Sequence, residues 1–403
     1  MSRRTLGLAV LALSATALTP ALSANAAPSQ AGLSHRNVKV CSTAAAGEAS
    51  CNSIRHDTAD GNGKVIPNAT PAGYGATTLR SAYGLAAANP SGHPVVAIVD
   101  AYNDPNAASD LAVYRGQFTL PIIGNCAVST TNLCFQKVSQ TGTTSYPRAN
   151  GGWAQEISLD VDMVSAACPQ CSILLVEAKS ASFADLAIAE NQAAALGAKV
   201  ISNSYGGSES TTYATSYSHA GVAITASTGD SGQVAAQSPA SYPSVVAVGG
   251  TSLTSPLSRT EKAWSGAGSF CSTAYAQSAA QAAYGLTETQ ACGTKRGAAD
   301  ISSDADPNTG VAVYDSYAYQ GVSGWLVFGG TSASSPFVGA AIAVAGTWVS
   351  YGASGADHLY PNAASFSDVS GGSNGTCAGP LCNAGVGWDG PTGLGSVNGT
   401  AGL

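Results

Sequence analysis

The chain has 403 residues and a formal net charge of −7, from 16 Lys and Arg against 23 Asp and Glu. Charged residues are only 10 % of it, where an ordinary soluble domain carries roughly a quarter. That balance leaves no basic footprint for nucleic acid and little charge to build up in acid, and no apolar run is long enough to place the chain in a membrane.

Residues 1–26 come first: Ser2-Arg3-Arg4, an apolar run from Leu6 to Leu18, then "ALSANAAPSQ". A basic start, a short apolar stretch and small residues at a cut after Ala26 predict a signal peptide and export. Residues 27–75 are polar, Gly- and Ala-rich and without sustained periodicity, so they are set apart as an N-terminal segment, either a short pro-segment or an extension of the mature chain. The main domain is expected over 76–403. Ten cysteines in an exported chain suggest five disulfides. Nearest-neighbour pairing joins Cys41 to Cys51, Cys126 to Cys134, Cys168 to Cys171, Cys271 to Cys292 and Cys377 to Cys382. "CPQC" at 168–171 has no second CxxC to complete a zinc site and no thioredoxin-like context, and reads as structural.

From 76 onward the chain alternates. "PVVAIVDA" (94–101), "CSILLVEA" (171–178), "KVISNSY" (199–205), "GVAITAS" (221–227) and "SVVAVGG" (244–250) are short continuous apolar runs, the pattern of strands buried on both faces of a parallel sheet. Between them lie helical stretches such as "SASFADLAIAENQAAALGAK", which stops at Gly197. The fold class is α/β, a parallel β-sheet with helices on both faces. The region 250–325 reads as loop-rich.

"VFGGTSASSPFVGA" (327–340) presents Ser332 on a Gly-Gly turn at the start of an apolar helix, with Pro336 expected in its first turn. A serine hydroxyl needs a base. Asp100 stands where an Asp-His-Ser triad would put its acid, but the only histidine between it and Ser332 is His219, which lacks the surroundings of a catalytic imidazole. In "GGWAQEISLDVDMVSAA", Glu156 and Asp160 are four apart and share one helix face. Such carboxyls repel unless they share a proton, and a shared proton is an acid/base device: Glu156 to take the proton of Ser332, Asp160 to orient Glu156. Asp162 lies off this face and reads as solvated. Asp230, in "STGDSG", stands at the C-terminal mouth of a buried strand and, if neutral, can donate to an oxyanion.

Taken as an ordered set, Glu156-x-x-Leu159-Asp160, "STGDSG" and "GGTSASSP" resemble the sedolisin family, serine-carboxyl peptidases with a subtilisin-like fold. The resemblance spans about 76–403. It implies a catalytic set of Glu156, Asp160, Asp230 and Ser332, with Asp100 extending the carboxylate network. It also implies that "SNSYGG", through Ser204, Tyr205 and Gly206, pairs with substrate backbone, although many relatives have Trp where Tyr205 stands. Near the C-terminus it implies one structural Ca²⁺, held by the carboxylates of Asp368 and Asp389 and the carbonyls of Val369, Gly385 and Gly387. Glycines that bend carbonyls inward between two acids suit the oxygen-rich shell of calcium. Relatives carry a large folded pro-domain, for which the fifty or so residues after Ala26 leave no room. The expectation is a secreted, monomeric endopeptidase acting on proteins or peptides in acid. The alternatives are a Ser/His/Asp protease and a non-catalytic secreted binding protein on the same scaffold.

Overall fold

A computed structural model describes Met1, residues 33–285 and residues 291–403. The signal peptide expected over 1–26 lies, apart from Met1, outside the described residues. Element order begins with β1 (Ser34–Lys39), β2 (Ser50–Cys51), β3 (Ile54–Ala59), α1 (Ala76–Ala82), β4 (Val95–Ala101), α2 (Ala107–Gln117), β5 (Gly124–Asn125) and β6 (Cys134–Ser139). It continues through α3 (Gly151–Ala167), β7 (Ser172–Ala178), α4 (Phe183–Ala195), β8 (Val200–Asn203), β9 (Tyr205–Ser208), β10 (Ala223–Ser227), β11 (Gln237–Ser238) and β12 (Val246–Ser255). It ends with β13 (Thr260–Ala263), β14 (Phe270–Ala276), α5 (Ala279–Tyr284), β15 (Lys295–Ala298), β16 (Ile301–Asp304), β17 (Val311–Tyr319), β18 (Val322–Gly329) and α6 (Thr331–Ala345), before a tail of short 3-10 turns and loops.

The main sheet runs β13-β12-β10-β8-β4-β7-β6-β5, with β16 also beside β12. Its neighbours are parallel except for β12 and β13. Every residue of β4, β7, β8 and β10 is buried, which is why these strands read as unbroken apolar runs. On one face α3 packs against α6, while α4 packs across β4 and β7 and away from that pair. Asn150 caps α3 by accepting from the Gly152 and Trp153 amides, and Gly197, at φ +91°, follows α4 in the left-handed conformation. Five disulfides join the cysteines in nearest-neighbour pairs. Among the described residues no helix is long and apolar enough to cross a membrane.

Three local expectations change. The region 250–325 is strand-rich, not loop-rich: β14 and β15 form an antiparallel ribbon and β17 pairs with β18. β13 and β14 mix polar with apolar residues, and the apolar start of β17, Val311 to Tyr314, is only four residues long before Asp315 interrupts it. No structural boundary falls at residue 75 either. β1 and β3 extend the β18-β17 sheet, and buried Arg55 donates to Gln155 of α3 at 2.8 Å while pairing with Asp57. Asp162 is not solvated, because α3 is buried almost all round; its carboxylate accepts from the Tyr314 amide at 3.0 Å.

Candidate active site

Ser332 is the second residue of α6, at the end where free amides and the helix dipole favour negative charge. It follows Gly330, whose φ of +99° suits glycine alone. A Cβ there would also overlap the Asn52 carbonyl oxygen and the Asp230 carboxyl, so the turn is closed to any other side chain. Pro336 is the sixth residue of the helix, beyond its first turn. Without an N–H it leaves the Ser332 carbonyl without its helical donor, and the Ser204 hydroxyl takes that place at 3.5 Å. In return the Ser332 hydroxyl donates to the Ser204 carbonyl at 3.1 Å.

Behind Ser332 sits a file of buried carboxyls. Glu156 and Asp160 project from α3, and Asp100 and Glu177 are the last residues but one of β4 and β7; none has any exposed surface. Burial pushes Glu156 up to about 8, against the ordinary carboxylate value near 4, while the neighbouring Ser332 and Ser53 hydroxyls pull it back. Asp160 is held well above its usual range by burial and by the charges of Asp100 and Glu156. Asp100 is raised the same way, by burial and then by Glu156 and Glu177. Both oxygens of Glu156, Asp160 and Asp100 are without a formed hydrogen bond. The Ser332 hydroxyl lowers Glu156 by its closeness while directing its own proton to the Ser204 carbonyl. Such a group holds protons in common, and deprotonation belongs to the set.

Asp230 follows the C-terminal end of β10, beside the helix start. One carboxyl oxygen accepts from the Thr331 amide at 2.7 Å and the Thr331 hydroxyl at 2.9 Å; the other is buried without a partner. Burial raises Asp230 to about 7, so the group is neutral in acid. Its free oxygen borders the empty face of Gly330, together with the Asn52 carbonyl oxygen that the Ser332 amide meets at 2.9 Å.

The five histidines lie elsewhere. His219 precedes the first residue of β10, at the opposite end of the strand from Asp230, and its Nε2 meets the Ser216 carbonyl at 2.9 Å. His35 and His56 stack on each other across β1 and β3, His93 meets the Gln170 carbonyl, and His358 packs on Tyr351. Of the "SNSYGG" residues, Tyr205 turns its side chain into the core, where its hydroxyl donates to Asn203 at 2.6 Å; only its backbone faces the cleft. The residues missed in the sequence are Asn52 and Ser53, which meet Ser332 and Glu156, and Ser227 and Gln237, which lie around the Asn52 side chain. The "STGD" stretch itself held the signal for Ser227; nothing in residues 27–75 marked Asn52.

In the tail, Asp389 is buried and accepts from the Thr392 amide at 2.9 Å and hydroxyl at 2.8 Å, and from the Gly385 amide at 3.3 Å. Both oxygens of Asp368 accept from the Gly387 amide, at 3.2 and 3.3 Å. Two acids and a glycine-rich loop therefore do converge, with amides rather than carbonyls turned toward the carboxylates.

A profile of the subtilase family matches residues 141–352, more than half of the chain. No curated protein matches it. The structure is similar to that of Pseudomonas sedolisin, a serine-carboxyl proteinase solved with two molecules of pseudo-iodotyrostatin. That match has a TM-score of 0.65 and 25% identity, and covers 81% of this chain and 96% of that one. The S41 psychrophilic protease shares the fold at a TM-score of 0.50 and 18% identity, over 82% of this chain and 99% of that one. The chain belongs to the subtilase family, as a sedolisin-like peptidase of subtilisin fold whose substrates are proteins or peptides.

Proposed function

We propose that this chain is a secreted, monomeric serine-carboxyl endopeptidase that works in acid through Ser332, Glu156, Asp160 and Asp230. The observation that carries the reading is the file of buried acids running back from Ser332 through Glu156 to Asp160 and Asp100, with all five histidines elsewhere. Secretion is supported by the N-terminal sequence and five disulfides.

Ser332 Oγ attacks the scissile carbonyl as its proton passes to Glu156. Asp160 accepts part of the charge, and neutral Asp230 donates to the oxyanion beside the Ser332 amide. Glu156 then gives the proton to the leaving amine, and water reverses the sequence on the ester. The chemistry needs Glu156 ionised and Asp230 neutral. Asp230 fails that condition above about 7. Glu156 meets it in acid only once water reaches it, since burial is what holds it at about 8 in the covered cleft. Activity should therefore peak in acid and fall as Asp230 ionises.

A structural Ca²⁺ belongs to the same proposal. Asp368 and Asp389 supply two hard oxygen ligands, and Gly387, at φ +85°, gives the intervening loop the freedom to turn the carbonyls of Gly385 and Gly387 inward with that of Val369. The ion would tie the tail to the domain and take no part in the reaction.

The test is hydrolysis of a denatured protein from about pH 3 to 8. The expected result is an acid peak that Glu156→Ala abolishes and His219→Ala leaves in place. Activity confined to alkaline pH, or lost with His219, would overturn the reading.

A further inference from the structure

The cleft beside Ser332 holds a piece of the chain itself. β2 lies antiparallel to β9, Ser50 opposite Gly206 and Cys51 opposite Tyr205. Asn52 comes next, and its main-chain amide, its carbonyl oxygen and its side-chain nitrogen are engaged by residues of the cleft. Its amide donates to the Ser204 carbonyl at 3.0 Å, and its carbonyl oxygen accepts from the Ser332 amide at 2.9 Å. Its side-chain Nδ2 donates to Ser227 Oγ at 2.8 Å, inside a pocket bounded by Gly206, Gly229 and Gln237. The unpartnered Asp230 oxygen, the Asn52 carbonyl oxygen and the Cα of Ser53 all crowd the empty face of Gly330. On the far side of the Asn52–Ser53 bond, the Ser53 hydroxyl lies beside Glu156.

A strand that merely completed a sheet would need the pairing with β9 and nothing more. It has no reason to aim a carbonyl oxygen at the amide of a nucleophile and a neutral acid, nor to seat its next side chain in a pocket at the mouth of β10. Beside the segment lies a cavity of about 350 Å³ bounded by Lys39, Cys41, Gly207 and Val234.

We propose that the Asn52–Ser53 peptide bond is the protein's own processing site, presented to Ser332 in the register of a substrate. The proposal rests on the reading of Ser332 and Glu156 given above. In molecules whose buried carboxyl file has already given up one proton, the Ser332 hydroxyl turns from the Ser204 carbonyl, its oxygen bonds to the Asn52 carbonyl carbon, and its proton goes to the ionised Glu156. The carbon–nitrogen bond breaks, and Glu156 returns the proton to the departing Ser53 amine. Water then attacks the ester, leaving a carboxylate at Asn52 and a free hydroxyl at Ser332, with one water consumed. The released piece ends at Asn52 and is closed by the Cys41–Cys51 disulfide, which does not cross the cut. It stays attached through β1 against β3, the Lys39–Ser231 hydrogen bond and the Ala49 amide on the Ala181 carbonyl. Until it leaves, it blocks the cleft. The same pocket predicts that a carboxamide is accepted just before the scissile bond, with Ser227 as the residue that reads it.

The test is intact mass and N-terminal sequencing of the purified full chain, wild type beside Ser332→Ala, with hydrolysis of denatured casein followed in the same samples. The expected result is a new N-terminus at Ser53 and a fragment ending at Asn52, formed at a rate that dilution leaves unchanged, with Ser332→Ala still joined. Asn52→Leu, which loses the hydrogen bond to Ser227, should slow the cut about tenfold. Casein hydrolysis by a chain intact at 52–53 would overturn the processing site and leave the peptidase reading standing. A cut that persists in Ser332→Ala would also overturn it, and hydrolysis of neither bond would take down both.

Discussion

Glu156, Asp160 and Asp100 lie in an apolar interior with no hydrogen bond formed to any of their oxygens, whereas Asp389, equally buried, accepts from two amides and a hydroxyl. Its neighbour Asp368 is likewise met by the Gly387 amide. Residue type is the same in both places, and surroundings assign different work. Carboxyls buried without donors favour the neutral form and hold protons beside Ser332. At Asp389 burial still holds the carboxyl up at about 7, but amides and a hydroxyl pull it back toward charge, which suits an anchor for a loop or for a cation.

The largest effect that would sharpen this contrast is Asp160→Asn. The amide keeps the size and can still donate to Glu156, but it cannot hold a proton in common with it. We expect kcat to fall on the order of a hundredfold with KM nearly unchanged, the scale of a lost acid/base partner. An unchanged kcat would mean that Glu156 needs no partner and that the buried file is packing.

The second effect is on stability. Glu156 and Glu177 are raised to about 8 and Asp230 to about 7, all chiefly by burial. A carboxyl raised in the folded state binds its proton more tightly there than in the unfolded chain. Its contribution is therefore complete below the unfolded value near 4 and is lost as pH rises through the folded one. Thermal unfolding followed from pH 4 to 8 should show Tm falling by on the order of 5–10 °C, the opposite of the usual acid lability. A Tm that rises over that interval would show these acids to be ionised and compensated in the fold.

How much of this was legible in the sequence follows from where each signal resides. The strands of the main sheet are buried on both faces, so their apolar runs were plain, and the one-turn spacing of Glu156 and Asp160 set them on one helix face without any knowledge of the fold. Ser332 announced itself through the glycines that precede it. The half-exposed ribbons between 250 and 325 were not legible, because alternation of polar and apolar residues over four to nine positions looks like loop. Asn52 was less legible still. Its contacts lie 152 to 280 residues away in the chain, and nothing local distinguishes an asparagine in a substrate register from one in a turn. Pro336 was placed one turn too early because its missing N–H is balanced by Ser204, a tertiary contact that sequence spacing does not carry.

The smallest effect concerns the tail, and it should run opposite in pH to that of the interior. A cation held by Asp368 and Asp389 binds only their ionised forms, so protons compete with it. Calcium added to about a hundred times its dissociation constant should raise stability by about 2.7 kcal/mol near pH 7.5, and by less near pH 4.5. Differential scanning calorimetry with calcium and with a chelator, at both pH values, measures the difference directly. Asp389→Asn should abolish the calcium response and remove only its own share of the fall of Tm with pH, because Glu156, Glu177 and Asp230 supply the rest. If the chelator changes nothing at pH 7.5, the amides of Gly385 and Gly387 are the permanent partners of these carboxylates, and the tail is anchored by hydrogen bonds alone.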